Sequence, residues 1–89
     1  MKREQATIIN PSGLHARPAS VFVKEANKFR SDIAIISGEK RINAKSIVKL
    51  MSTALKQGTD IVIEASGEDE EQAVAALTAL LKDGFGELG

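Results

Sequence analysis

An α+β fold, with an antiparallel sheet covered by helices on one face, is predicted by three features of the sequence. The hydrophobic pattern switches repeatedly between strand-like and helix-like periods along the chain. Many of the resulting segments are joined by short connections, which favours antiparallel neighbours. No linker, repeat or low-complexity stretch interrupts the 89 residues, enough for one domain, expected over 1–89, and too few for two.

The elements follow in the order β-α-β-β-α-β-α. A strand is expected over Gln5–Ile9, running into the loop signal Asn10-Pro11-Ser12-Gly13. From Ala16 to about Lys28, Ala19, Phe22, Val23 and Ala26 fall on one helical face, and Phe29 extends it. Asp32–Ser37 carries Ile33, Ile35 and Ile36 and reads as a strand. Gly38-Glu39 supplies a tight turn to a short charged strand, Lys40–Asn43, of the kind found at sheet edges. Ser46 is a good N-cap for a helix reaching about Leu55, with Ile47, Leu50, Met51 and Ala54 at helical spacing and Gly58 as the stop. Leu50 and Ala54 read as core, and Val48 falls out of phase, toward the surface. Asp60–Ala65 is the clearest strand, with Ile61, Ile63 and Ala65 on one face. The acidic run Glu68–Glu71 opens the last helix at its positive dipole end. Ala73, Val74, Leu77, Leu80 and Leu81 form its buried stripe, and Gly84 ends it. Spacing does not set the strand order.

Composition narrows the function. Hydrophobic residues make up 43% and charged residues 27%, as in an ordinary globular protein. Twelve basic and twelve acidic residues cancel, and the three aromatics are all Phe. A nucleic-acid partner, which needs positive charge or stacking surfaces, is therefore not expected. The absence of cysteine excludes disulfides and thiol chemistry, and a metal site at His15 would have no second histidine and no cysteine to complete its ligand set. No cofactor is expected. The start Met1-Lys2-Arg3-Glu4 has no apolar leader core, and no run is long enough for a membrane span, so the expected compartment is the cytoplasm.

His15 is the first candidate for chemistry. It lies between a glycine-containing loop and a helix start, whose free N–H groups and partial positive charge suit an anion. Pro18 supports a helix beginning there, since a proline in the first turn loses no hydrogen bond. A residue before proline resists the helical conformation, which makes Arg17 itself a candidate cap. The Arg17 guanidinium offers two donors to phosphate oxygens. Near neutral pH an ordinary imidazole is largely an uncharged nucleophile. On physics alone, a surface histidine beside a solvated arginine is still the commoner arrangement.

The wider string carries more. Gly13-Leu14-His15-Ala16-Arg17-Pro18-Ala19-Ser20 resembles the active-site signature of the HPr family, the histidine-containing phosphocarriers of the bacterial phosphoenolpyruvate-dependent sugar phosphotransferase system. Ala44-Lys45-Ser46-Ile47-Val48-Lys49-Leu50-Met51 resembles that family's regulatory-serine segment, and the likeness spans essentially the whole chain. The resemblance implies an open-faced β-sandwich of four antiparallel strands with three helices on one side. It implies phosphorylation of His15 at Nδ1 by phosphorylated Enzyme I, and onward transfer to an Enzyme IIA domain. Such a protein is a stoichiometric carrier between enzymes and not itself an enzyme. Arg17 would stabilise the phosphoryl group, with the backbone N–H groups of Ala16 and Arg17 aimed at it, and Ser12 would help orient His15.

The same resemblance makes Ser46 a target of an HPr kinase/phosphorylase, with a transcriptional regulator as a further partner. It implies docking through Ala16, Arg17, Ser20 and Lys24 on the first helix and Ile47, Val48, Lys49, Met51 and Ser52 around the second. Transient docking of this kind favours a monomer. Lys49 departs from the Ile-Met-Gly that many serine-regulated members carry after this serine. The ending Leu80-Leu81-Lys82-Asp83-Gly84-Phe85-Gly86-Glu87 is similar to the nitrogen-related branch of the system. A regulatory carrier of that branch is the alternative, and an interaction module or corepressor without carrier activity is a second.

Overall fold

Ile61, Ile63 and Ala65 alternate along one strand, and all three are buried, which places that strand at the centre of the sheet. In the computed structural model, which describes residues 1–87, it is β4 (Asp60–Ser66). The last two positions of the expected 1–89 domain lie outside the described residues. The other elements are β1 (Lys2–Thr7), α1 (Arg17–Ala26), β2 (Asp32–Ser37), β3 (Lys40–Asn43), α2 (Ile47–Ser52) and α3 (Glu70–Lys82), followed by a 3-10 turn at Gly84–Gly86. The sheet order is β1-β4-β2-β3, and every pairing is antiparallel. The expected α+β open-faced sandwich is the fold.

The helices cover one face. Phe22 and Ala26 of α1, Leu50 of α2 and Leu77 and Leu81 of α3 meet Ile35, Ile42, Ile61 and Ile63 of the sheet in one core. Phe22 stacks in a tilted pair with Phe85, the ring centroids 6.5 Å apart. Phe85 is a bulky residue held at φ +55 between Gly84 and Gly86, both also at positive φ. That reversal turns the chain back from the end of α3 toward the start of α1.

The opposite face carries a charge cluster that the sequence did not single out. Glu64 is 2% exposed and is paired with Arg3 of β1 and Arg41 of β3. Arg3 lies directly across from Glu64 in the register. Arg41 reaches over β2, where Ala34 stands opposite Glu64 with only a methyl group. The Arg41 hydrogen bond, helped by Arg3, holds the Glu64 carboxyl below its usual range, although its burial opposes this. Three strands are thereby tied through one carboxylate.

Several boundaries differ from expectation. β1 spans Lys2–Thr7 and not Gln5–Ile9. As an edge strand it is held by backbone pairing, so its charged residues stay exposed and show no apolar pattern. Ile8 leaves the ladder but keeps bonds to Thr59 and Gly58. α1 stops at Ala26, where Lys28 N–H and Phe29 N–H bond to the carbonyls three residues back. α3 begins at Glu70, after Asp69 and not at Glu68, because the Asp69 carboxylate accepts bonds from Arg30 and Ser31 of another loop. Leu80 is only half-buried, while Thr78 is buried with its hydroxyl bonded to the Val74 carbonyl.

The reading of Ala54 as core is corrected. Helical spacing from Leu50 counts only while the helix lasts, and α2 ends at Ser52. Ala54 sits at φ +55 in the following turn and is exposed. Leu50 is fully buried, as expected, and Val48 is 75% exposed.

Candidate functional site

The loop between β1 and α1 is pinned from below. Asn10, fully buried, donates from Nδ2 to the Gly13 carbonyl at 2.8 Å, and Gly13 N–H returns to the Asn10 carbonyl at 3.1 Å. Leu14 is also fully buried, and its N–H bonds to the Leu55 carbonyl at 2.9 Å. Gln57 Nε2 donates to the Ile9 carbonyl at 2.9 Å. With Leu14 anchored inward, the next side chain, His15, stands exposed at the surface. His15 and Ser12 line a shallow depression of about 410 Å³ with Pro11 and the Ala54–Gln57 segment.

Immediately after His15 the chain enters α1. Ala16 is the N-cap, at φ +53 and ψ −124, and among the described residues no side chain caps this end. Such a backbone conformation costs an alanine on the order of 1–3 kcal/mol. The first intrahelical bond runs from Ser20 N–H to the Ala16 carbonyl at 3.1 Å. The N–H groups ahead of it therefore lack helical acceptors, and Pro18 has none to lose. Arg17 is not the cap considered from its place before Pro18. Ala16 makes the turn, so Arg17 becomes the first helical residue and remains exposed beside His15. The chain thus presents, in succession, an exposed imidazole, a helix end whose first N–H groups lack helical acceptors, and an exposed guanidinium. A helix end and a guanidinium are each groups that can bind phosphate oxygens.

Ser12 has a partner that the sequence did not disclose. Its hydroxyl donates to the Glu87 carboxylate, 2.8 Å from Oε2 and 3.0 Å from Oε1. Glu87 Oε1 also accepts from Ser12 N–H and from Asn10 Nδ2, each at 3.2 Å. The Ser12 hydroxyl, then its N–H, hold the Glu87 carboxyl below its usual range, with smaller help from Asn10 and the Arg17 charge and against partial desolvation. The only sequence signal was the Gly84-Phe85-Gly86 string, whose glycines permit the reversal that delivers Glu87 here.

Ser46 caps α2 as expected, its Oγ accepting from Lys49 N–H at 3.3 Å. α1 and α2 are neighbours. Ala16, Arg17, Ser20, Lys24, Ile47, Val48, Lys49 and Ser52 are exposed on them, and Met51 is half-buried against the core. Among the described residues, no group of three or more His, Cys, Asp or Glu is placed to hold a metal ion. No helix of the described residues is long and apolar enough to cross a membrane.

A family model described as the PTS HPr component phosphorylation site matches residues 2–83. The chain belongs to the HPr family. It is 52% identical to the phosphocarrier protein HPr of Haemophilus influenzae over 81 residues, 91% of this chain and 95% of that one. It is 49% identical to HPr of Mycoplasma capricolum over 83 residues, 93% of each chain. The crystal structure of HPr-C-His from Thermoanaerobacter tengcongensis superposes with a TM-score of 0.95 at 46% identity, covering 98% of both chains. HPr proteins are phosphocarriers of the phosphotransferase system, and sugar transport through a phosphohistidine follows from the family. Family membership also implies phosphotransferase-system partners such as Enzyme I and Enzyme IIA.

Proposed function

We propose that this HPr-family chain accepts a phosphoryl group on Nδ1 of His15 from phosphorylated Enzyme I and passes it to Enzyme IIA domains. The observation that carries the reading is the position of His15, exposed on a pinned loop directly ahead of uncapped α1, with Arg17 beside it. Arg17 and the backbone N–H groups of Ala16 and Arg17 stabilise the added charge. The exposed residues of α1 and α2 form the docking face, Val48 and Ile47 supplying apolar contact and Lys24 and Lys49 positive charge. The protein is regenerated by its partners in each cycle and acts as a carrier, not an enzyme. Its working compartment is the cytoplasm and its working form a monomer, which leaves both docking helices free.

Ser46 is the proposed site of regulatory phosphorylation. A phosphate at a helix N-cap is electrostatically tolerated, so the fold survives, while the docking face gains negative charge.

Intact mass measured after incubation with phosphoenolpyruvate, Enzyme I and magnesium tests the carrier role. One acid-labile phosphoryl group, absent from His15→Ala, is expected. An unchanged mass with a demonstrably active Enzyme I overturns it.

A further inference from the structure

Glu87 occupies donors at the edge of the proposed phosphoryl site, and nothing in the phosphocarrier role requires a carboxylate there. A serine hydroxyl has one hydrogen to donate. Here that hydrogen is directed at Glu87, 2.8 Å from Oε2 and 3.0 Å from Oε1, and the Ser12 N–H points to the same carboxylate at 3.2 Å. Asn10 Nδ2, on a fully buried side chain, completes the set at 3.2 Å. The contact is not a chance meeting of two surface side chains. Phe85, 7% exposed and packed on Phe22, fixes the chain two residues before Glu87. Ser12 and His15 line one depression, so a group added to His15 shares that depression with the residue that Glu87 holds.

Resting on the carrier reading above, we propose that Glu87 is a positioning residue that holds Ser12 in the unphosphorylated state and releases it when His15 is phosphorylated. In that step the bond from phosphorus to the His15 nitrogen forms as the bond from phosphorus to its donor atom on Enzyme I breaks, with no change of oxidation state. The group brings about two negative charges near neutral pH. The Glu87 carboxylate, bound to a residue that lines the same depression, repels it and competes with it for the Ser12 donor. Glu87 therefore stabilises the empty carrier relative to the loaded one and makes the loaded one a readier donor to the next protein.

Glu87→Gln tests this, because it keeps the shape and one acceptor oxygen while removing the charge. The measurement is the equilibrium constant for phosphorylation of the full chain by Enzyme I at fixed phosphoenolpyruvate and pyruvate concentrations. It is expected to rise roughly three- to tenfold in Glu87→Gln. The same substitution made on Ser12→Ala is expected to raise it by a smaller factor, because only the charge repulsion is then left to remove. Carbon NMR of the Glu87 carboxyl in the native protein is expected to shift on phosphorylation as the contact opens. A structural role alone would move thermal stability and leave the equilibrium constant in place. An equilibrium constant within twofold of native in Glu87→Gln, or a Glu87 resonance that does not move, overturns the inference and leaves the carrier role standing. If the native protein takes up no phosphoryl group, both readings fail.

Discussion

The backbone of Gly13 lies so close to Leu55 that a Cβ built on the glycine falls 2.3 Å from the Leu55 carbonyl oxygen. That oxygen is the acceptor for Leu14 N–H, so the close approach and the anchor of the histidine loop are one feature.

Gly13→Ala is therefore expected to destabilise the fold by about 2–4 kcal/mol, from strain at positive φ together with the clash. Gly38 is the control. It has a similar φ of +61 but nothing within 4 Å of a built Cβ. Gly38→Ala should cost only about 1–2 kcal/mol. Urea unfolding of both variants separates the two contributions, and equal losses would contradict the close-packing account.

Arg17 is exposed and in the first turn of α1, so its removal should leave stability nearly unchanged. Arg17→Ala is expected to slow phosphoryl acceptance from Enzyme I on the order of tenfold to a hundredfold. Arg17→Lys should recover only part of the rate, because an ammonium cannot offer paired donors. Rapid-quench kinetics read the rates directly.

Val48 is 75% exposed on α2. Val48→Asp should change unfolding free energy by less than about 0.5 kcal/mol. It should weaken binding to Enzyme I about tenfold or more, since the proposed docking face then carries an unpaired charge. Calorimetric titration gives the affinity, and an unchanged value would remove Val48 from the interface.

Leu50 and Ala54 should respond in opposite ways. Leu50→Ala is expected to cost about 2–5 kcal/mol, as for any large residue taken out of a packed core. Ala54→Gly should be neutral or stabilising by up to about 1 kcal/mol, since glycine relieves the left-handed conformation. A loss of core-like size at position 54 would restore the buried reading.

The pH dependence follows from the carboxylates. Asp69 is held below its ordinary 3.8 by the Ser31 hydroxyl first and then by the Arg30 N–H, with desolvation opposing. Its contribution is fully present above that ordinary value and is lost as pH falls through the lower value of the folded state. Glu64 and Glu70 are lowered from 4.5 in the same direction, by Arg41 and by the N-terminal amine. Acid unfolding of Asp69→Asn should thus show lower stability than native near neutral pH and convergence with it at the acid end. Parallel curves over the whole range would show that Asp69 contributes no linkage.

Much of this molecule was legible in its residues. The strands Asp32–Ser37 and Lys40–Asn43 lie where β-branched content and the Gly38 turn placed them. The position of His15 at the mouth of a helix, Ser46 as a cap and the surface place of Val48 also follow from local chemistry. These features depend on neighbours a few residues away, and periodicity and capping report such neighbours. The tertiary structure decided what distant segments do to one another. It set the order β1-β4-β2-β3, turned Ala16 and not Arg17 into the cap, and moved Ala54 out of the core. It buried Glu64 between arginines of two other strands and brought Glu87 to Ser12, 75 residues away in sequence. The sheet order, the Glu64 cluster and the Glu87 contact rest on packing between parts of the chain far apart in sequence, where no local pattern records which partner a side chain will meet.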